Sequence, residues 1–231
     1  MIKSEFNSDF SKEKEVGKFL DNFLYKRKFM KNKVKRIEDF KMQQEGIDII
    51  LDGTYIDEKS QIYYAGNSLP TFSFEFWNIT SKKIGWAINN SLKTEKYMLI
   101  WINNTSGKGK EFTCKDIKEI ECMLIKKEKI TEIIKKYFNG RDYMSLNSEV
   151  YSEILRYSDK EDGVYYFYKN SLEEIVNSSR EEHKKENNYL ALSTSKAEKP
   201  LNFIIRKKEL ESIAEMHMIV TENKYENIWK K

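Results

Sequence analysis

An α/β fold, with a mixed central β-sheet flanked by helices, is predicted by three observations. An apolar stripe at helical spacing lies near the N-terminus, alternating segments separated by turn residues occupy 46–78, and a continuous apolar run, YMLIWI, stands at 97–102. Helices repeat every ~3.6 residues and strands every ~2, so the first two patterns mark different elements. A short unbroken apolar run marks a strand buried on both faces. With 231 residues the chain can bury a core without disulfides or metal staples.

Residues 12–30 read as a helix, because Val16, Phe19, Leu20, Phe23 and Leu24 recur near helical spacing, with Tyr25 beside them. Ser11 is placed to cap it, and Gly17 within it implies close packing. Residues 34–38 suggest a short strand. In GIDIIL, 46–51, Ile47, Ile49 and Leu51 share one face and Asp48 and Ile50 the other. Asp52-Gly53 is a hairpin turn signal, and 54–64 reads as the returning strand. A third strand, TFSFEFWN, follows at 71–78, then turn-like residues over 85–96, the buried strand, and a loop over 103–111. Residues 119–127 suggest a strand and 130–138 a helix stopped by Asn139-Gly140. Beyond lie a strand at 164–168, a charged helix at 171–187, a strand at 201–206 and a helix at 207–216.

Composition narrows the class. Aromatics at 13% argue against disorder and give Tyr and Phe much of the packing. Cys114 and Cys122 match no zinc spacing, no apolar stretch is long enough for a membrane span, and residues 1–10 do not resemble a signal peptide. A reduced, cytoplasmic protein without membrane attachment is expected. The net charge of +4 says little, but 26–36, KRKFMKNKVKR, holds seven cations and no acid. That run is either a solvated face or a patch, Lys31, Lys33, Lys35 and Arg36 included, that contacts nucleic-acid phosphates.

The residues that carry chemistry are Asp48 and the triplet Asp57-Glu58-Lys59. Strand alternation points Asp57 and Lys59 to one face and Glu58 to the other, and the Asp52-Gly53 turn brings Asp48 near Asp57. Two carboxylates held together repel and raise each other's pKa, and a hard divalent cation relieves this. Such an ion polarises a phosphoryl oxygen and lowers the pKa of its water, while an ammonium at Lys59 orients water and offsets developing charge.

This pattern resembles the PD-(D/E)XK, or restriction-endonuclease-like, nuclease superfamily, which sets an acid on one core strand and (D/E)-x-K on the next. The resemblance covers roughly 12–138, with 139–231 as a C-terminal α+β elaboration of a single domain that helps specify substrate. It implies a restriction-endonuclease-like core and a Mg²⁺- or Mn²⁺-dependent endonuclease hydrolysing phosphodiester bonds, with DNA as partner and a homodimer as one assembly. Asp48 and Asp57 would be metal ligands, Glu58 would add its backbone carbonyl or, in a bulged strand, its carboxylate, and Lys59 would be the catalytic lysine. Glu15 is the match to an acid on the first helix. The sequence departs from the pattern in having Ile47 rather than proline before Asp48 and an acid at the middle position, Glu58. The alternative is a catalytically inactive protein of the same fold that binds a partner or nucleic acid, as an anti-defence factor would.

Other residues carry two readings each. Gln61 shares the Lys59 face and either meets phosphate or water or simply faces solvent; Gln43 also flanks the motif. Glu75 either joins the acids or is an exposed strand residue. Tyr165, Tyr166, Phe167 and Tyr168 suit either base stacking or core packing. His183 and His217 read as exposed histidines in charged helices, and Gly107-Lys108-Gly109 lacks the rest of a phosphate-loop motif.

Overall fold

The computed structural model describes residues 2–138, 156, 163–167 and 188–228. The expected helix at 171–187, with His183, lies outside them, as do Tyr168 and the Asn139-Gly140 stop. The chain divides into two compact units: residues 1–70, 91–127 and 210–231 form one, and 71–90 with 128–209 the other.

The first unit is built on a seven-stranded mixed sheet. Its strands are β1 (Val34–Arg36), β2 (Ile49–Leu51), β3 (Thr54–Ser60), β6 (Lys96–Asn104), β7 (Ile117–Lys126), β11 (Met216–Val220) and β12 (Tyr225–Asn227), adjacent in that order. Every pairing is antiparallel except β3 with β6. The β2–β3 turn forms as the sequence predicts: Asp52 and Gly53 have φ of 48° and 83°, the left-handed pair that matches strand twist.

One face of this sheet is covered by α1 (Ile2–Leu20), which runs into a single wider turn over Asp21–Tyr25. Val16, Phe19, Leu20 and Leu24 bury against Ile49, Ile56, Met98, Ile100 and Ile102. Each such side chain contributes roughly 1.5–3 kcal/mol, and the two-sided β6, with Tyr97 through Ile102 all at most 2% exposed, anchors the sheet. The helix starts well before Ser11, which is therefore an internal residue and not a cap. The wider turn is what lets Leu24 and Tyr25 both point inward. A short helix, α2 (Phe40–Gln44), capped by the Asp39 side chain, joins β1 to β2.

The second unit holds an antiparallel sheet of β5 (Lys83–Ile84), β4 (Thr71–Asn78), β10 (Pro200–Arg206), β9 (Tyr189–Ser193) and β8 (Val164–Phe167). Phe72, Phe74 and Phe76 alternate inward on β4. Aromatic contacts fill its core, including Tyr137 with Phe203 at 4.9 Å, Tyr137 coming from α3 (Lys127–Tyr137).

Several expectations change. The 71–78 strand does not extend the hairpin's sheet: β3 pairs with β6, and the intervening β4 and β5 belong to the other sheet. A parallel pairing needs a long crossover, and here two strands of a second sheet lie within it. The last helix is α4 (Lys207–Ile213), shorter than 207–216, because Met216 begins β11. β9, β11 and β12 carry too few residues to announce themselves by periodicity. Among the described residues, no helix is long and apolar enough to cross a membrane.

Candidate active site

Asp48 stands immediately before β2, where that strand departs from its partner. Its N–H donates to the Ile56 carbonyl at 2.9 Å and its carbonyl accepts from Ile37 N–H at 2.8 Å, so β1 and β3 hold its backbone from both sides. Its carboxylate then takes the place of a ladder acceptor: the Glu58 N–H donates to Asp48 Oδ2 at 2.8 Å. Gly46 makes this approach possible. It has φ of +79°, and a Cβ there would lie 2.3 Å from Thr94 Oγ1, the hydroxyl that donates to the Gly46 carbonyl at 2.8 Å.

β3 supplies the rest. Asp57 is 2% exposed, close enough to Asp48 for its charge to raise that carboxyl, and paired with Lys59 Nζ at 2.8 Å. The strand runs without a register shift against β2 and β6, so Asp57 and Lys59 share a side as expected and Glu58 does not replace Asp57. Burial, then the neighbouring Asp57 charge, pushes Asp48 up to about 7; Lys59 opposes the rise. Burial pulls the Lys59 ammonium down, but Asp57, Asp48 and Glu13 outweigh it and the net displacement is upward, so Lys59 is charged. Burial also lowers Lys127, against the pull of Asp57.

Asp48, Lys59 and Ser60 form part of a cleft of about 620 Å³, whose other wall is the α1 face bearing Phe10, Glu13 and Gly17. The α1 acid that lines the cleft is Glu13; Glu15, the acid expected there, is not among its lining residues. Burial raises Glu13, with Lys59 opposing and Asp48 reinforcing. Glu15 instead accepts from Lys18 and from the Cys114 N–H at 2.8 Å. Two residues along a helix turn a side chain by roughly 200°, so the two acids meet different surroundings. The signal was present in the sequence: Glu13 lies three residues before Val16 and seven before Leu20, in line with the buried stripe.

Glu58, between Asp57 and Lys59 on β3, belongs to a second polar group that lines the same cleft, with Arg36 and Asp21. Glu58 accepts from the Tyr25 hydroxyl and from Arg36 Nη1 at 2.7 Å, and Arg36 Nε also bonds Asp21 at 2.8 Å. Burial raises Glu58 while Arg36 opposes. The Glu58 carboxylate is thus engaged by partners of its own. Arg36, expected among the phosphate-contacting cations, is ion-paired with Glu58 and Asp21 at the cleft. Strand parity accounts for this: Val34 and Arg36 are half-buried on β1 and Lys35 between them is exposed. Lys31 and Lys35 remain exposed, and Lys33 lies 3.4 Å from Asp52 at the surface.

Of the remaining candidates, Gln61 follows β3 and its N–H donates to the Ile100 carbonyl at 3.0 Å. Gln43 lines the cleft, its side-chain amide donating to the Ile37 carbonyl at 2.9 Å. Glu75 lies on β4, in the sheet of the other unit. Tyr165 and Tyr166 are half-buried on β8, with the Tyr166 ring 5.8 Å from that of Tyr189. His217 is not in a helix: it sits on β11, half-buried, with Nε2 2.9 Å from Glu121 Oε1. One ligand atom from each of Glu121, Glu211 and His217 lies within 4.8 Å of the others, a spacing that can hold a metal ion. Sequence reading missed this group because its members come from three elements and β11 was not recognised.

No family model matches the chain, and no curated protein or solved structure matches it either.

Proposed function

We propose that the protein is a divalent-metal-dependent nuclease that hydrolyses phosphodiester bonds, with DNA as substrate and the first unit as a restriction-endonuclease-like core. One observation carries the reading: Asp48, just before β2, and the buried Asp57 of β3 converge with Lys59, and Asp48 and Lys59 open onto a cleft. The donor set fits a hard cation. Burial and then the Asp57 charge raise Asp48, a condition that a bound cation would relieve, and carboxylate oxygens suit Mg²⁺ or Mn²⁺. Asp48 and Asp57 would hold the ion, which when bound polarises a phosphoryl oxygen and makes its water more acidic.

The chain's own groups do the positioning. Lys59 is held by Asp57 at 2.8 Å and carries its charge into the cleft, where it donates to a phosphate oxygen as negative charge grows there. Asp48 is fixed by the Glu58 N–H, and Glu58 in turn by Arg36 and Tyr25, so the strand bearing both catalytic groups is braced from its opposite face. Glu13, across the cleft, adds a third acid that accepts hydrogen bonds from water near the phosphate.

The test is incubation with linear, nicked, branched and single-stranded DNA, and with RNA, in Mg²⁺, Mn²⁺ or EDTA. Metal-dependent cleavage that falls at least ~100-fold in Asp57→Asn is expected. Absence of cleavage on every substrate, or equal cleavage by the variant, refutes the proposal. Nucleic-acid binding without cleavage, unchanged by Asp48→Ala and Lys59→Ala, would mark a non-catalytic protein.

A further inference from the structure

Directly after β3, residues Ile62–Tyr64 form one tight turn that displays two aromatic rings. Tyr63 is 58% and Tyr64 36% exposed, their rings perpendicular with centroids 5.1 Å apart. Lys108 Nζ lies over both, 5.2 Å from one centroid and 4.9 Å from the other. Single exposed aromatics need no explanation, but a fixed pair under a shared cation is a built surface.

The loop that brings Lys108 there is held in place. Gly109 N–H donates to the Tyr63 carbonyl at 3.0 Å, and Gly107 N–H to Asn104 Oδ1 at 2.9 Å. Both glycines have positive φ, 85° and 70°, which explains the Gly-Lys-Gly sequence without any phosphate-loop motif. Glu111, at the loop's far end, pairs with the buried Lys12 of α1 at 3.2 Å. The next residues of α1 turn the other way: Phe10, Glu13 and Lys14 line the cleft, with Lys14 Nζ 4.4 Å from the Phe10 ring centroid. The same helix therefore carries one aromatic–lysine pair into the candidate active site and anchors the loop that completes a second.

We infer that Tyr63, Tyr64 and Lys108 form a stacking platform for single-stranded nucleic acid, feeding a strand whose bases are unpaired toward the cleft. The inference rests on the nuclease reading for the class of polymer and adds the strand state. A ring face can stack only on a base whose own face is free, and duplex stacking hides those faces. Lys108 and the neighbouring Lys110 supply charge for the backbone phosphates, which alone would not distinguish strand states. Tyrosine stacking is tolerant of sequence, so the platform gives affinity and strand selectivity rather than a recognition site.

Binding is measured by fluorescence anisotropy in EDTA, with labelled oligo(dT) and oligo(U) of about fifteen nucleotides and a duplex of equal length. EDTA separates this measurement from cleavage. Tighter binding of single strands than duplex is expected, and the oligo(dT) and oligo(U) arms show whether DNA or RNA is preferred. Tyr63→Ala/Tyr64→Ala weakens single-strand binding roughly tenfold or more, while Tyr63→Phe retains it because the ring remains. Lys108→Gln, at an exposed ammonium, flattens the log–log salt dependence by about 0.7. Equal affinity for duplex and single strand, or an unchanged Kd in both the Tyr63→Ala/Tyr64→Ala and Lys108→Gln variants, overturns the inference. Single-strand binding without cleavage in Mg²⁺ or Mn²⁺ removes the nuclease reading and leaves the platform standing. Duplex cleavage with no single-strand binding does the reverse.

Discussion

Replacing Asp48 by Asn is expected to stabilise the protein, and to do so only where Asp48 is forced to ionise. Asn keeps an oxygen that accepts the Glu58 N–H bond now made at 2.8 Å, so the ladder position is preserved while the charge is removed. Burial and Asp57 raise the Asp48 carboxyl from 3.8 to about 7. A group whose folded value is raised contributes stability that is complete below its unfolded value, near pH 4, and is lost as pH climbs through its folded value, near 7. At about 1.4 kcal/mol per pH unit, the loss between those limits is on the order of 4 kcal/mol. The cleft is open to water, and solvent screening brings the measurable effect to about 2 kcal/mol. For a chain of this size that is a rise in Tm of roughly 4–8 °C. Thermal melts in EDTA at about pH 4.5 and pH 8 give the readout: Asp48→Asn should match the parent at the acid end and exceed it at the alkaline end. Mg²⁺ added at the higher pH should then raise the parent's Tm and leave the variant nearly unmoved, since binding to the folded form alone is stabilising. A difference between variant and parent that is the same at both pH values would show that Asp48 is not strained by its neighbours, and the electrostatic basis of the site would fall.

Three further outcomes are expected. Gly46→Ala places a methyl 2.3 Å from Thr94 Oγ1 at a φ of +79°, and should cost about 2–3 kcal/mol in urea denaturation; an unchanged midpoint would mean the turn before Asp48 relaxes freely. Arg36→Met leaves Glu58 without its 2.7 Å partner and should destabilise by about 3 kcal/mol, whereas Arg36→Met/Glu58→Met should recover most of the loss; a double variant as unstable as the single would contradict the ion-pair account. Neutralising Lys31, Lys33 and Lys35, leaving Arg36 in place, should weaken DNA binding alike for all sequences and lower the salt slope by roughly one per lost contact, and an unchanged slope would show that these cations are only solvated.

What the sequence revealed and what it hid follow from local and non-local information respectively. The β2–β3 hairpin was legible because alternation on both sides of Asp52-Gly53 and the turn chemistry agree within a dozen residues. β6 was legible because burial on both faces leaves an unbroken apolar run. The allegiance of β4 was not, since TFSFEFWN alternates identically whichever sheet it joins, and only its partner β10, more than a hundred residues on, decides. His217 was misplaced for a related reason: the MHMIV segment that forms β11 follows a charged helix closely, and its pairing with β7 is set from almost a hundred positions away. The cationic run 26–36 is likewise uniform in composition but not in role, because β1 parity turns Arg36 inward and Lys35 outward.

The alternation of β3 sets two different polar groups on one short strand. Asp57 and Lys59 take one side and face Asp48; Glu58 takes the other and is gripped by Arg36 and Tyr25. Two like charges held as close as Asp48 and Asp57 would push their strands apart unless the backbone between them were restrained. The restraint is applied at the residue between Asp57 and Lys59, from the opposite face, and includes Asp48 itself through the Glu58 N–H. An acid at this middle position, an oddity in the sequence, is thereby accounted for: its partners Arg36 and Tyr25 fix the strand that carries Asp57 and Lys59. Loss of Glu58 should therefore loosen the Asp48–Asp57 contact without removing either carboxylate, so Glu58→Gln should shift the pH at which Asp48 titrates, followed by carbon-detected NMR of the carboxyl. An Asp48 titration identical in parent and variant would mean that Glu58 acts on Asp48 neither through the strand nor through its charge.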